Sequence, residues 1–240
     1  MKSGKYILKI LVTGGAGFIG SALIRELLKN TNYEVVNVDA LRYAGNLNSL
    51  PFAENNKNYC FELCDICDED QLKIIFNKYE PNVIFHLAAE SHVDRSIISP
   101  KQFIETNIMG TFNLLNLSLD LWNSRKSESN YFFRFHHIST DEVFGDLGDS
   151  DLKFQESSLY KPSSPYAANH HTIKGRSKLA APSAVTGNLL TACWIKIIES
   201  GIRNNQWDIQ NSGMLSTRER TLDNITLLLT FRPFIYTLNA

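Results

Sequence analysis

Thr13–Gly20 reads TGGAGFIG, and four of its eight residues are glycine. Inside regular structure glycine costs about 0.5–1 kcal/mol relative to alanine, so this concentration marks backbone that must turn tightly or approach something closely. The apolar run YILKILV ends at Val12 and predicts a buried strand over Lys9–Thr13. Ile19, Leu23 and Leu27 recur at helical spacing and predict a helix over Phe18–Lys29. A strand, a glycine turn and a helix in that order form a phosphate site. Gly14 permits the turn, Gly17 withholds a side chain that would keep a pyrophosphate from the backbone, and Gly20 lets the helix sit close to the sheet. The helix N-terminus, opening at Phe18 and Ile19, adds free N–H groups and the positive end of a dipole.

The same alternation continues downstream. Strands are predicted at Glu34–Val38 (ending at Asp39), at Tyr59–Leu63 (ending near Asp65), at Asn82–Ala88 and at Phe133–Ile138. Helices are predicted at Gln71–Tyr79 and Phe103–Trp122. Strands alternating with helices imply an α/β fold, a Rossmann-type doubly wound parallel sheet. Ligands of such sheets lie beyond the carboxyl ends of the strands. The chemistry-bearing residues collect there: the glycines, Asp39, Asp65 with Ile66, AAESHVDRS from Ala88, and STDE from Ser139. Asp39 stands 19 residues past Gly20, where a dinucleotide-binding strand carries its acid. It can accept hydrogen bonds from both hydroxyls of an adenosine ribose and would repel a 2′-phosphate, which favours NAD over NADP. Arg42 points the other way, since a nearby arginine can receive that phosphate. Asp65 and Ile66 either border an adenine or form a simple strand-end turn.

The chain has 240 residues, 43% of them apolar, enough for one large domain with a real core. A formal net charge of −1 gives no electrostatic case for nucleic acid or for an acidic membrane surface. No run approaches the roughly 18 apolar residues of a spanning helix. Lys2 and Lys5 before a short apolar run resemble a secretion signal, but Lys9 interrupts that run and no small-residue cleavage pattern follows, so a cytoplasmic protein is expected. Cys60, Cys64, Cys67 and Cys193 lack the second pair or the nearby histidines of a zinc site. Reduced thiols and no metal are expected. His136 and His137 fall within a strand and are expected to pack; His92 and Arg95 are either catalytic or phosphate contacts or, as such residues more often do, fix their loop.

The segments TGGAGFIGSALIREL, VVNVDALRYAGNL, FELCDICD, HLAAESHVDRSI, FIETNIMGTFNLL, FRFHHISTDEVFGD and KPSSPYAA together resemble the dTDP-glucose 4,6-dehydratases. These are extended short-chain dehydrogenase/reductases acting on a nucleotide sugar. The resemblance covers residues 7–168, and the acid pair after Ser-Thr distinguishes it from the epimerases. It implies NAD contacted by Leu87, Ala88, Ala89, Ser91 and Thr106, with Leu87–Ser91 bordering its nicotinamide half, and a sugar contacted by Ser91 and Thr140. It implies that Tyr166 takes the C4 hydroxyl proton as the sugar is oxidised, Glu142 removes the C5 proton, and Asp141 protonates the departing C6 hydroxyl. Two adjacent acids suit one base and one acid, because different surroundings can separate their pKa values. Return of the hydride to C6 gives a 4-keto-6-deoxy sugar. The resemblance also implies a homodimer through the long helix and the tyrosine helix. A dehydratase using UDP-glucose and a non-catalytic NAD-binding remnant are the alternative readings.

The pattern breaks within the tyrosine segment. The family carries a lysine four residues after its tyrosine; here YAANH puts His170 there. That lysine would lie one helical turn on, holding the tyrosinate and the nicotinamide ribose. Histidine is shorter and, with an unperturbed pKa near 6.5, only about a quarter charged at pH 7. Phe144 stands where the family usually has tyrosine. From Asn169 onward no motif of the family is legible, and residues 169–240 carry a net charge of +4 against −5 for residues 1–168. Residues 1–168 are therefore expected to form the NAD-binding domain with its catalytic residues. Residues 169–240 are unassigned and attributed to a disrupted reading frame. The altered tyrosine helix argues against the dimer and for sharply reduced activity.

Overall fold

Five parallel strands form one sheet: β1 (Lys9–Thr13), β2 (Glu34–Asp39), β3 (Tyr59–Leu63), β4 (Val83–His86) and β5 (Arg134–His137), in the order β3-β2-β1-β4-β5. The computed structural model describes residues 7–129, 131–146, 154 and 158–180, with side chains to residue 172. The inner strands read as nearly unbroken apolar runs because both their faces are covered. Alternate residues then feed opposite layers. Leu11, Val36, Val38, Ile84 and Phe135 pack against Leu72, Ile75 and Phe76 of helix α2 (Glu69–Tyr79) and Leu114, Leu115 and Leu117 of α5 (Thr111–Arg125). Ile10, Val12, Val35, Val83 and Phe85 pack on the other face against Ala22, Leu23, Ile24 and Leu27 of α1 (Phe18–Asn30). β3 is half-buried along most of its length, as an edge strand should be.

Several boundaries differ from the expected ones, each for a local reason. α2 begins at Glu69 rather than Gln71, because the Asp68 carboxylate accepts the Gln71 N–H at 3.0 Å and caps the helix earlier. β4 is confined to Val83–His86: the Asn82 side chain, not a strand partner, receives the Lys9 N–H at 3.0 Å. A short helix, α3 (Val93–Ile98), was not expected. The long helix starts at Pro100, earlier than Phe103. It runs through α4 (Pro100–Phe103), a π-wound segment Ile104–Gly110, and α5. The wider π turn brings Thr106, Asn107 and Gly110 to the buried side together.

The last described helix, α6, spans Pro165–Ala180 and passes the boundary expected at residue 168. Ser164 opens it by accepting the Ala167 N–H at 3.1 Å, and Pro165 supplies the first turn, where a missing N–H costs nothing. Residues 181–240, including Cys193, lie outside the described residues. Among the described residues no helix is long and apolar enough to cross a membrane.

Candidate active site

The strand order reverses between β1 and β4, and a crevice of about 320 Å³ opens beyond their carboxyl ends. The glycine turn forms its floor. Gly14 has φ +71°, and a Cβ there would lie 2.6 Å from the Ala88 nitrogen, so the end of β1 touches the end of β4 through a residue without a side chain. Gly20 acts differently from expectation: a Cβ on it would collide with the Gly14 carbonyl oxygen, so its smallness seats α1 on the turn rather than on the sheet. Gly17 is the N-cap of α1, and a Cβ on it would meet only the Gly14 carbonyl oxygen, at 3.2 Å. Phe18 and Ile19 also line the crevice.

At one end the walls carry carboxylates. Asp39 is nearly buried, and its two oxygens accept the Ala16 N–H at 2.9 Å and the Leu41 N–H at 2.8 Å. These bonds tie β2 to the glycine turn and hold Leu41 at φ +49°. Arg42 donates to Asp65 at 2.6 Å and to Glu90 at 2.9 Å, with the Thr106 hydroxyl at 3.5 Å. Asp65 also receives the Cys67 N–H at 2.9 Å, so the strand-end turn and the crevice wall are the same residue. Burial raises the Asp65 pKa, but the Cys67 amide and Arg42 outweigh it and hold the carboxyl below its ordinary range. Ile66, Leu87, Ala88, Ala89, Ser91 and Thr106 complete this part of the wall. Burial pushes the thiols of Cys64 and Cys67 up to about 12 and about 11, which leaves them protonated near neutrality.

Glu90 falls inside the Leu87–Ser91 stretch expected to border the cofactor, but the sequence did not reveal what it holds. It lies within AAESHVDRS, lines the crevice and is 4% exposed. Its backbone exchanges two hydrogen bonds with the Asn107 side chain, at 2.8 and 2.9 Å, which the π turn makes possible. Arg95 lies over the Tyr43 ring at 4.8 Å, across the same loops.

The other end is built by β5 and α6. Ile138, Ser139, Tyr166 and His170 line the crevice. Thr140, Asp141 and Glu142 follow directly on those residues without forming its wall. They make a 3-10 turn, Asp141–Phe144, in which the Thr140 hydroxyl accepts the Glu142 N–H at 3.3 Å. The Lys161 N–H donates to the Val143 carbonyl at 3.0 Å, and α6 packs on the turn, which brings Tyr166 and the acid pair to one corner. One oxygen of Asp141, Oδ1, is buried without a hydrogen-bond partner among the described residues.

Beneath Tyr166 lies a column of rings. Tyr166 meets His170 edge-on with centroids 4.7 Å apart; His170 and His137 are 5.8 Å apart, and His137 and His86 5.1 Å. His86 bridges Thr13 and Thr111, its Nδ1 at 2.7 Å and its Nε2 at 2.8 Å from their hydroxyl oxygens. Burial, with His170 adding to it, lowers the His86 pKa to about 3. Burial lowers that of His170 to about 4, so the residue in the lysine's place is uncharged near neutrality. His136 packs against Phe85 on the other face, as its place in the strand led one to expect.

A parallel sheet in this order, with a glycine turn and an acid at the end of its second strand, defines a Rossmann-type domain whose site sits at the switch point. The family model for GDP-mannose 4,6 dehydratase matches residues 11–175, and the chain belongs to that family. It is 58% identical over 161 residues to a dTDP-glucose 4,6-dehydratase of Neisseria meningitidis serogroup B, covering 67% of this chain and 45% of the relative. It is 48% identical over 192 residues to one of Salmonella typhimurium, covering 75% and 53%. The chain thus spans about half the length of the curated relatives it matches. The structure of a dTDP-glucose 4,6-dehydratase from Streptomyces venezuelae, solved with NAD bound, superposes with a TM-score of 0.64 at 32% identity, covering 81% of this chain and 63% of that one.

Proposed function

We infer that the chain binds NAD along this crevice and is a dTDP-glucose 4,6-dehydratase by descent, acting in the cytoplasm. The observation that carries the reading is the continuity of one wall, from the glycine turn and Asp39 past Leu87–Ser91 and Thr106 to Ser139 and Tyr166. The residues fit the cofactor. Packing within the protein does not require glycine at position 17, so the space there is kept for a group against the N-terminus of α1. Arg42 is taken by carboxylates, which removes the sequence argument for a 2′-phosphate. The names of the relatives support the substrate, a nucleotide sugar.

Bound there, NAD would accept a hydride from the sugar at C4 and return it at C6. Tyr166 Oη takes the C4 hydroxyl proton. The Glu142 carboxylate removes the C5 proton and gives it back to C5 as the hydride reaches C6, and Asp141 in its acid form gives a proton to the C6 oxygen, which leaves as water. Ser91 and Thr140 hold the sugar. His170 lines the crevice, so the functional unit reaches past residue 168 into α6, and residues 181–240 take no part in this reading. A homodimer through α5 and α6 is not part of it either.

A second reading, an NAD-binding remnant, is favoured by His170: an uncharged imidazole supplies no cation beneath the tyrosine. Calorimetric titration with NAD, followed by a product assay with dTDP-glucose and with UDP-glucose, separates the readings. Binding with formation of the 4-keto-6-deoxy product from dTDP-glucose supports the dehydratase. Binding without turnover supports the remnant, preference for UDP-glucose corrects the nucleotide, and absence of NAD binding refutes all three.

A further inference from the structure

Arg42 is the one Lys or Arg side chain in the described crevice wall. Its guanidinium is held at both ends, by Asp65 at 2.6 Å and by Glu90 at 2.9 Å. Glu90 cannot swing away: it is buried, Gln102 donates to the same oxygen at 3.0 Å, and Asn107 grips its backbone. Asp39 adds a third carboxylate to the wall. Three carboxylates against one guanidinium leave this end negative, and it is the end where an acid meets the adenosine ribose. A 2′-phosphate would bring about two further negative charges to a wall whose one described guanidinium already faces two carboxylates.

We propose that Asp65 and Glu90 are specificity-determining residues that clamp Arg42 and thereby exclude a dinucleotide phosphorylated at the 2′-position. The proposal rests on the dinucleotide reading above and deepens it. An arginine beside the second strand can receive a 2′-phosphate; here it closes the site to one, because both its Nη atoms are engaged by carboxylates of the protein. Glu90 is the fixed jaw. Asp65, about one-third exposed, is the replaceable one.

The test is a calorimetric comparison of NAD and NADP on the parent chain, Asp65→Asn, and the double variant Asp65→Asn/Arg42→Ala. Asparagine keeps an oxygen for the Cys67 N–H, so the turn survives; urea melts verify that each variant is folded. The parent should bind NAD and bind NADP at least about tenfold more weakly. Asp65→Asn removes one charge and frees one edge of the guanidinium, and NADP affinity should rise about tenfold with a much smaller change for NAD. That gain should vanish in the double variant. A gain that persists without Arg42, an Asp65→Asn variant that favours NADP no more than the parent does, or a parent that binds both dinucleotides equally would overturn the proposal. A parent that binds neither overturns the dinucleotide reading itself.

Discussion

Gly17→Ala separates what the fold requires from what the ligand requires. Gly17 sits at φ −76° and ψ 177°, a conformation open to any residue. Its added methyl would meet only the Gly14 carbonyl oxygen, at 3.2 Å, a contact that a shift of a few tenths of an ångström relieves. At an N-cap, alanine is worse than glycine by about 0.5–1 kcal/mol. Alanine also narrows the unfolded ensemble, worth about 0.4–1 kcal/mol in the opposite direction. The two offset, and stability should stay within about 0.5 kcal/mol of the parent. Gly20→Ala is the control. The same methyl would strike the Gly14 carbonyl oxygen and stand 2.7 Å from the Gly15 Cα, backbone in both cases, for a cost of about 2–3 kcal/mol. Toward NAD the order reverses. A methyl at Gly17 pushes a pyrophosphate off the first amides of α1, removing one or two hydrogen bonds to charge of about 1.5–3 kcal/mol each. The resulting loss of affinity is at least about tenfold. Urea melts followed by circular dichroism give the first quantity and calorimetric titration the second. A Gly17→Ala protein that melts like Gly20→Ala, or that keeps the parent's affinity, refutes the reasoning.

Three further outcomes are expected. His86, His136 and His170 have folded pKa values of about 3, 4 and 4, below the ordinary 6.5 of an unfolded histidine, because burial disfavours the imidazolium. The unfolded chain then binds more protons, so their contribution is complete above about pH 6.5 and is lost as the pH falls toward 4, at up to about 1.4 kcal/mol per unit for each ring; a urea midpoint that does not move between pH 7 and pH 5 would contradict this. His86→Ala removes a buried ring and one of the two partners of each of the Thr13 and Thr111 hydroxyls, which keep the Ala88 N–H and the Asn107 carbonyl, and should cost about 3 kcal/mol, measured by the same melts, with a loss under about 1 kcal/mol counting against the bridge. His170→Lys buries an ammonium at a 5% exposed position and should lower stability without restoring turnover; a folded variant with full product formation would show that the lysine was all that was missing.

The sheet was legible because β1 and β4 are short apolar runs and the first two strands end at a glycine turn and at Asp39, features that survive without knowledge of the partner strand. Much of the crevice wall followed, since strand ends in a parallel sheet converge on one place. Arg42 shows where that stops. Its residue type suggested a phosphate, but its partners Asp65 and Glu90 lie 23 and 48 residues away, and no periodicity encodes which cation a buried acid will hold. The π turn was invisible for a related reason. Ile104–Gly110 has ordinary helical residues, and what accompanies the wider turn, Asn107 on the Glu90 backbone and Gly110 against Ile66, lies far away in the sequence. Gly20 was recognised as small for a close approach, yet what it approaches is the turn, a distinction that needs coordinates.

The column of rings from His86 to Tyr166 has a consequence for how damage spreads in this molecule. The innermost imidazole is locked between a strand and a helix, while the outermost ring faces the crevice, so interior and site share one continuous stack. A substitution at His137, distant in sequence from the glycine turn, would register at both extremities, loosening the hydroxyl of Thr13 and tilting the phenol of Tyr166. Thermal stability and ligand affinity should therefore fall in step along this line of side chains, whereas elsewhere in the domain the two can be altered separately.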